Sequence, residues 1–485
     1  MHRSRLTGLV GFTTAIAAAA LLCGPTLESL GAQTKAPVAQ SPTVTAGNKI
    51  FDLTRVHRIK ISISAAEWAV LQTSGGRNAG GTGGSDYRTA DGRLVHLSSG
   101  FANTLPWAHA DMQIDDPNGK VEFRDVGIRY KGNSSFTRSS IAAPLLANFK
   151  LKIDLHGTKG TWDGEKSFNL QSGVVDTSRM KDSIAYWIYR AAGVPAPRTT
   201  YAEVIFTVPG VYNDTSAGLF TIIEDVNGKF LERALPPGNG LLMKPEQLGG
   251  GIHRLGDTWA AYVPKLRPDR DATPHEQQRV MEFSDLCSQS DVALFRAKVG
   301  TYLDVDQFLR FIAINAFTAN WDSYLGGGHN FYLYLDPRDD KFRFIPWDQD
   351  LSLQNRGGLA GFTVTRIVRA DGTVVNGTVV NGAVNGTMFV NGGAAPAPSM
   401  PGTDILNPAG SNQLLIYWLL DDPAVATKYR AILKELSATA FSPAELTKLM
   451  DALESVRGTG TAASPREFLL SRANMVQQLV EGWNK

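Results

Sequence analysis

The side chains with most chemistry to offer lie between positions 320 and 350, in Asn320-Trp321-Asp322, Gly326-Gly327-Gly328-His329-Asn330 and Pro346-Trp347-Asp348-Gln349-Asp350. Asp322, Asp348, Asp350 and Asn330 offer carboxylate and amide oxygens, hard donors that suit Mg2+ or Mn2+. Gathered carboxylates repel one another unless a cation or a proton compensates. In an extended chain Asp348 and Asp350 would point to one face. Asp residues also cap turns, and Asp336, Asp339 and Asp340 read that way, because they sit in the turn Asp336-Pro337-Arg338-Asp339-Asp340. Asp322, Asp348 and Asp350 read as functional, because aromatic residues expected to be buried stand beside them. A second group is Gly132-Asn133-Ser134-Ser135, a Gly-bearing polar loop able to turn N–H groups and hydroxyls toward phosphate. Lys150 and Lys152 follow it, and a Lys fixed on a strand pairs phosphate oxygens. The plain alternatives are an ordinary turn and a solvated strand face.

These groups need elements to place them. Residues 121–130 and 148–155 read as strands on either side of the polar loop, the second with Phe149, Leu151, Ile153 and Leu155 on one face and Lys150, Lys152 and Asp154 on the other. The spacing of Met180, Ile184, Trp187 and Ile188 predicts a helix over 177–192, ended by Gly193 and Pro195. Residues 56–64, 201–208 and 218–224 read as strands, and Ser64 as the N-cap of a helix starting at Ala65. Phe308, Phe311, Ile312, Asn315 and Ala316 recur at helical spacing over 305–319, so Asn320 and Asp322 fall just past a helix end. Residues 330–335 and 341–346 read as paired strands, which would return Asp348 close to Asn330 and Asp322. Residues 414–420, 424–437, 443–456 and 465–483 read as a helical tail. A strand, a polar loop, a Lys-bearing strand, a helix and a later Asp/Asn/Asp group follow the order of parts in a phosphoryl-transfer enzyme, where catalysis is mostly positioning and charge stabilisation.

Composition sets the frame. The chain has 485 residues, 43% hydrophobic and 19% charged, enough apolar material for a large core. Lys and Arg total 48 against 46 Asp and Glu, so bulk attraction to nucleic acid or anionic membrane is not expected. Residues 1–32 read as an export signal: His2, Arg3 and Arg5 precede an apolar run too short to span a bilayer, and Ser29-Leu30-Gly31-Ala32 supplies small residues for cleavage. Cleavage would leave Cys287 alone, with no intramolecular disulfide and no stable transmembrane segment. A linker follows over 33–48. Residues 75–84 read as an exposed Gly-rich loop, and the Val-Asn-Gly repeat within 357–405 as a β-rich or disordered surface insertion. No His-Glu-x-x-His or Gly-x-Ser-x-Gly motif is present.

The chain resembles the CotH kinase family, spore coat protein H and its relatives. The residues that carry the likeness are Val126-Gly127-Ile128-Arg129-Tyr130-Lys131-Gly132-Asn133-Ser134-Ser135, Phe149-Lys150-Leu151-Lys152-Ile153, Phe168-Asn169-Leu170, Ser178-Arg179-Met180-Lys181-Asp182 and Gly218-Leu219-Phe220-Thr221-Ile222-Ile223-Glu224, then Asn320-Trp321-Asp322, Asn330-Phe331-Tyr332-Leu333-Tyr334 and Ile345-Pro346-Trp347-Asp348-Gln349-Asp350. The resemblance implies an α+β, bilobal, atypical protein-kinase-like fold with mixed or antiparallel sheets and a C-terminal helical region. The kinase-like domain would cover 49–356, with an N-lobe over 49–235, a C-lobe over 236–356 and its helical part over 406–485. It implies ATP with Mg2+ or Mn2+, and a protein substrate at the cell surface or envelope, acted on by a secreted, periplasmic or envelope-associated chain.

By that likeness Asp322 orients the acceptor hydroxyl, Asn330 and Asp348 hold metal, and Asp350 ligates a second ion or braces Asp348. Lys152, or Lys150, contacts phosphates, and Gly132, Asn133, Ser134 and Ser135 form the nucleotide loop. Asp182 pairs with the phosphate Lys, and Glu224 lies near the adenine or braces the lobe junction. The eight-residue step from Asp322 to Asn330 is longer than in ordinary kinases, and the Gly326-Gly327-Gly328 run accommodates it. Residues 208–217 look inserted. Two other readings compete: a non-catalytic surface or coat assembly protein, and a metal-dependent hydrolase using Asp322 and Asp348 as acid and base. The hydrolase leaves the Gly132 loop and the Lys150/Lys152 strand unexplained.

Overall fold

Alternating apolar residues drive the N-terminal half into strands. In β1 (Val56–Ser62), His57, Ile59 and Ile61 point inward while Val56, Arg58 and Ser62 face solvent. The structure, a computed structural model, describes residues 47–74, 87–88, 94–95, 105–116, 119–132, 135–136, 148–155, 157, 160–246, 248, 251–353, 363–368, 374–380, 383–384, 404–408, 413–457 and 465–483. The segments read as the export signal, most of the linker and the Gly-rich loop at 75–84 lie outside the described residues.

Helix α1 (Ala65–Gln72) starts where Ser64 caps it, its Oγ accepting from the Glu67 N–H at 3.2 Å. A short antiparallel pair follows, β2 (Tyr87–Arg88) and β3 (Leu94–Val95). Next come β4 (Ala108–Asp116), β5 (Gly119–Lys131), β6 (Lys150–Asp154) and β7 (Ser167–Gln171), then α2 (Lys181–Ala191), β8 (Thr199–Val208) and β9 (Tyr212–Glu224). Seven strands close into a barrel in the order β1-β4-β5-β6-β7-β9-β8. Only the closing pair, β8 with β1, is parallel; the other neighbours run antiparallel. Closure removes both sheet edges and packs Ile59, Ile114, Ile128, Leu151, Leu170 and Phe220 into one core. The sequence reading anticipated the strand types but not this closure.

One further expectation is corrected. The helix expected from 177 starts at Lys181. Asp176 holds the preceding turn, accepting from the Ser178 and Lys181 N–H groups, and Arg179 has φ +55°, outside the right-handed helix. The 208–217 stretch forms the tip and first arm of the β8–β9 hairpin.

A second core lies in the helical half. It comprises α3 (Gly228–Ala234), β10 (Leu241–Met243), α4 (Trp259–Leu266), α5 (Pro274–Ser288), α6 (Val292–Tyr302), α7 (Val305–Phe317), α8 (Tyr324–Gly327), β11 (Phe331–Asp336) and β12 (Lys341–Pro346). Strands β10, β11 and β12 form one antiparallel sheet, against which α7 packs Phe308 and Phe311; their rings lie 4.7 and 5.5 Å from that of Phe344. Asp336 caps the β11–β12 turn as expected, accepting from the Arg338 N–H and bound by Arg338 and Arg343. Within the insertion, β13 (Thr363–Val368), β14 (Val374–Val380) and β15 (Ala383–Val384) form a small antiparallel sheet, the β-rich form of the two anticipated; its other residues up to 403 lie outside the described residues. The tail folds as α9 (Leu414–Leu420), α10 (Pro423–Ala438), α11 (Pro443–Arg457) and α12 (Arg466–Gly482), close to the expected bounds. Cys287 is buried in α5, and burial pushes its thiol pKa up, as befits a packing residue. Among the described residues no helix is long and apolar enough to cross a membrane.

Candidate active site

The register of β5 with β6 sets Lys131 opposite Lys150 and Arg129 opposite Lys152. Because strand side chains alternate, Lys150 and Lys152 leave the barrel interior on the same face, toward the helical half. Lys150 is not on a solvated face. Its side chain is only 3% exposed, and its ammonium lies 2.6 Å from Asp350 Oδ2 and 3.0 Å from Asp348 Oδ1. Burial disfavours its charge, yet Asp348 and Asp350 outweigh that and raise its pKa.

The two acids reach Lys150 by a route the sequence reading did not foresee. The chain after β12 is not extended: Asp348 has φ +49°. Several bonds fix this left-handed step. Trp347 N–H donates to the Asn330 carbonyl at 3.1 Å, and Gln349 N–H donates to Asp182 Oδ1 at 2.9 Å. Asn320 Nδ2 donates to Gln349 Oε1 at 2.9 Å. Burial works against the Asp348 carboxylate, but Lys150 and Lys131 hold its pKa below the ordinary value. Asp350, more buried and facing Asp348, is pushed up to about 6. Asp182 is raised by burial and by the charge of Asp350. Asp182 accepts from the Gln349 N–H, and its charge also favours the Lys150 ammonium, though among the described residues the two do not come within ion-pair distance.

Asp322 lies beyond the end of α7, where Ala319 takes φ +50° and releases the chain. His329 Nε2 is hydrogen-bonded to Asp322 Oδ1 at 2.8 Å. Asn330 Nδ2 donates to the Asp322 carbonyl at 2.7 Å and to Oδ2 at 3.3 Å. Burial would lower the His329 pKa, but the bond to Asp322 and the charges of Asp322 and Asp348 raise it. The glycine run permits this return. A Cβ on Gly326 would sit 1.8 Å from the Trp321 carbonyl oxygen, and one on Gly327 would sit 2.3 Å from the His329 ring. Thus Asp322, Asn330, Asp348, Asp350 and Lys150 fall in one neighbourhood where the barrel meets the helical half.

Residues 128–472 match the family model described as CotH kinase protein, most of the chain. The chain belongs to the CotH kinase family. It is 24% identical over 261 residues to inner spore coat protein H of Bacillus subtilis, covering 50% of this chain and 63% of that one. It is 25% identical over 195 residues to invasin CotH7 of Rhizopus delemar, covering 38% of this chain and 30% of the relative. The chain therefore spans less than two thirds of the length of these relatives. A solved structure of the Helicobacter pylori proinflammatory kinase CtkA aligns with 67% of this chain and 90% of that one, at 10% identity and a TM-score of 0.26.

The remaining expected residues of this CotH kinase family member separate from the cluster. Lys152 is bound by Asp225, at 2.8 and 2.9 Å. Glu224 is fully buried between Arg198 at 2.6 Å and Arg233 at 2.7 Å, so its carboxylate is committed to bracing β8, β9 and α3 together rather than free for a base. Gly132 takes φ +99°, and a Cβ there would meet the Ser135 hydroxyl at 2.2 Å, so this turn requires glycine. Ser135 is buried; Asn133 and Ser134 lie outside the described residues.

Four functional candidates escaped the sequence reading. Asp225, next to Glu224, also accepts from Ser167 Oγ at 2.7 Å and Asn169 Nδ2 at 3.3 Å; burial opposes its charge, but Lys152 and these bonds hold its pKa well below the usual range. His329, inside the Gly-His-Asn run, belongs to no His-Glu-x-x-His motif. Lys131 stood in the family motif beside the glycine. Lys244 had no local signal.

Among the described residues no set of three or more His, Cys, Asp or Glu is arranged around a metal position. The donor chemistry nonetheless fits a hard divalent cation. Asp348 and Asp322 are each 26% exposed, and Asn330 directs its amide nitrogen to Asp322, which leaves its oxygen as the ligating atom.

Proposed function

We propose that this CotH kinase is a secreted or envelope-associated atypical protein kinase that transfers the γ-phosphoryl group of ATP to a Ser or Thr hydroxyl of a surface or coat protein. The observation that carries the reading is the buried Lys150 ammonium, gripped by Asp348 and Asp350 at the boundary of the barrel and the helical half, with Asp322 and Asn330 beside it. In this reading the two cores are the lobes of a kinase-like domain, with the N-lobe over 49–235, the C-lobe over 236–356 and its helical part over 406–485. The names of the relatives, an inner spore coat protein and an invasin, support a surface location, as does the N-terminal segment read as an export signal.

The chemistry follows from the groups present. The acceptor oxygen forms a bond to Pγ while the bond from Pγ to the bridging oxygen breaks, and ADP leaves with that electron pair. Asp322 orients the hydroxyl and takes its proton, and His329 and Asn330 hold the Asp322 carboxylate in place. Lys150 fixes Asp348 and Asp350. Mg2+ or Mn2+, held by Asn330 and Asp348 with Asp350 behind them, would supply charge neutralisation at the phosphoryl oxygens.

Calorimetric titration of ATP with and without Mg2+ or Mn2+ tests this. Binding is expected only with metal and is lost in Asp348→Ala. Asp322→Ala is expected to bind MgATP but not to transfer labelled phosphate. Equal transfer by wild type and Asp322→Ala would refute the mechanism.

A further inference from the structure

Lys131, Lys150 and Lys244, from three segments, bring their charges to Asp348, with Lys152 near Lys131, but the four are not equally occupied. Lys150 is satisfied by Asp348 and Asp350, and Lys152 by both oxygens of Asp225. Lys131, at the end of β5, makes no ion pair among the described residues: it donates to Asn169 Oδ1 at 3.0 Å and lies 4.7 Å from the centre of the Trp347 ring. Lys244, just after β10, lies 5.9 Å from the Trp347 and Tyr332 rings. Its nearest carboxylate, Glu246, is 3.9 Å away and is held more closely by Arg267, at 2.9 Å. Trp347 and Tyr332 pack edge to face at 5.4 Å, so the two under-paired ammonium groups stand around one aromatic floor whose chain continues directly into Asp348.

An ammonium group in this position is costly. Burial pushes the Lys131 pKa down to about 7, and the charges of Lys150, Lys244 and Lys152 add to the effect against the pull of Asp348. Lys244, whose side chain is 41% exposed, is lowered in the same direction, by partial desolvation and the charge of Arg267. Lysines kept close together without matching carboxylates favour a polyanion that lies across both.

We infer that Lys131 and Lys244, over Trp347 and Tyr332, are the lysines that bind the phosphate chain of the nucleotide, whereas Lys150 and Lys152 serve the acidic groups. This rests on the kinase reading and alters its assignment of the phosphate lysines. Lys131 reaches the site from the strand that runs into the Gly132 turn, so barrel and helical half each contribute one ammonium group. The aromatic floor holds both stems without neutralising either charge.

The test uses the full chain with Lys131→Met and Lys244→Met, titrated with MgATP and separately with magnesium tripolyphosphate, together with thermal unfolding without ligand. Each variant is expected to weaken both ligands by about tenfold or more, the scale of a lost charge-assisted hydrogen bond. Lys131→Met is expected to keep or raise the melting temperature without ligand, because it removes a half-buried ammonium group that has no carboxylate partner among the described residues. A merely structural lysine would lower it and leave ligand affinity unchanged. Wild type that binds MgATP while both variants bind it equally well would overturn this assignment and leave the kinase reading standing. Wild type that binds neither ligand would overturn the kinase reading, and this assignment with it.

Discussion

Replacing Lys150 by Met removes the ammonium and keeps most of the stem, so it isolates the charge. Asp348 and Asp350 would then stand buried side by side with their shared cation gone. Breaking a buried pair from one side costs about 3–5 kcal/mol, because the remaining charge has neither solvent nor partner. Part of that cost depends on protons. With Lys150 present, the Asp350 pKa is already about 6. Without it the pKa rises further, and near neutral pH the acid must either ionise unfavourably or take up a proton. At about 1.4 kcal/mol per pH unit per proton the variant regains nearly 3 kcal/mol between pH 7 and pH 5, but wild-type Asp350, titrating near 6, regains about half of that, so the penalty should shrink by about 1.4 kcal/mol. Asp350→Asn supplies the missing proton in covalent form. The double variant should therefore recover well over 1 kcal/mol relative to the sum of the single changes. Urea unfolding of the four proteins at pH 5 and pH 7, followed by tryptophan fluorescence, reads all three quantities. A loss below about 1 kcal/mol at pH 7, or an equal loss at both pH values, would refute the reasoning.

Asp322→Asn preserves the size of the side chain and should lower phosphoryl transfer by about 10²–10⁴-fold while leaving MgATP affinity within about twofold, measured by labelled transfer and calorimetry. Glu165 is raised to about 7 by burial and by Glu224, so its folded pKa exceeds the unfolded value. Its contribution is complete below about pH 4 and is lost as pH rises through 7, so wild type should lose about 2–3 kcal/mol relative to Glu165→Gln between pH 5 and pH 8, read by urea midpoints. Gly326→Ala places a Cβ against the Trp321 carbonyl and should destabilise by about 1–3 kcal/mol, with a lower melting temperature and reduced transfer.

Features that depend on periodicity were legible in the sequence, whereas those that depend on where two distant segments meet were less so. The tail helices, the β11–β12 pair and the start of α1 each follow from a local pattern, and each formed close to its expected place. Barrel closure needs β8 to lie parallel to β1, and nothing in either strand announces that partner. The oxygen-bearing site residues were recognisable because Asp322, Asn330, Asp348 and Asp350 sit in short runs beside aromatic residues. Their connections were not. Periodicity makes Lys150 and Lys152 equivalent, on one face of one strand. The fold separates them, because the left-handed step at Asp348 brings two carboxylates to the first, while Asp225 at the end of β9 takes the second. That division decides the chemistry. On the proposed assignment, a lysine already neutralised by two aspartates positions acids, and a lysine over an aromatic ring with at most a distant carboxylate binds anions. Strand position alone does not distinguish the two roles, but charge pairing across the barrel boundary does, so the affinities of Lys131→Met and Lys244→Met bear on this assignment more directly than any variant of Lys152.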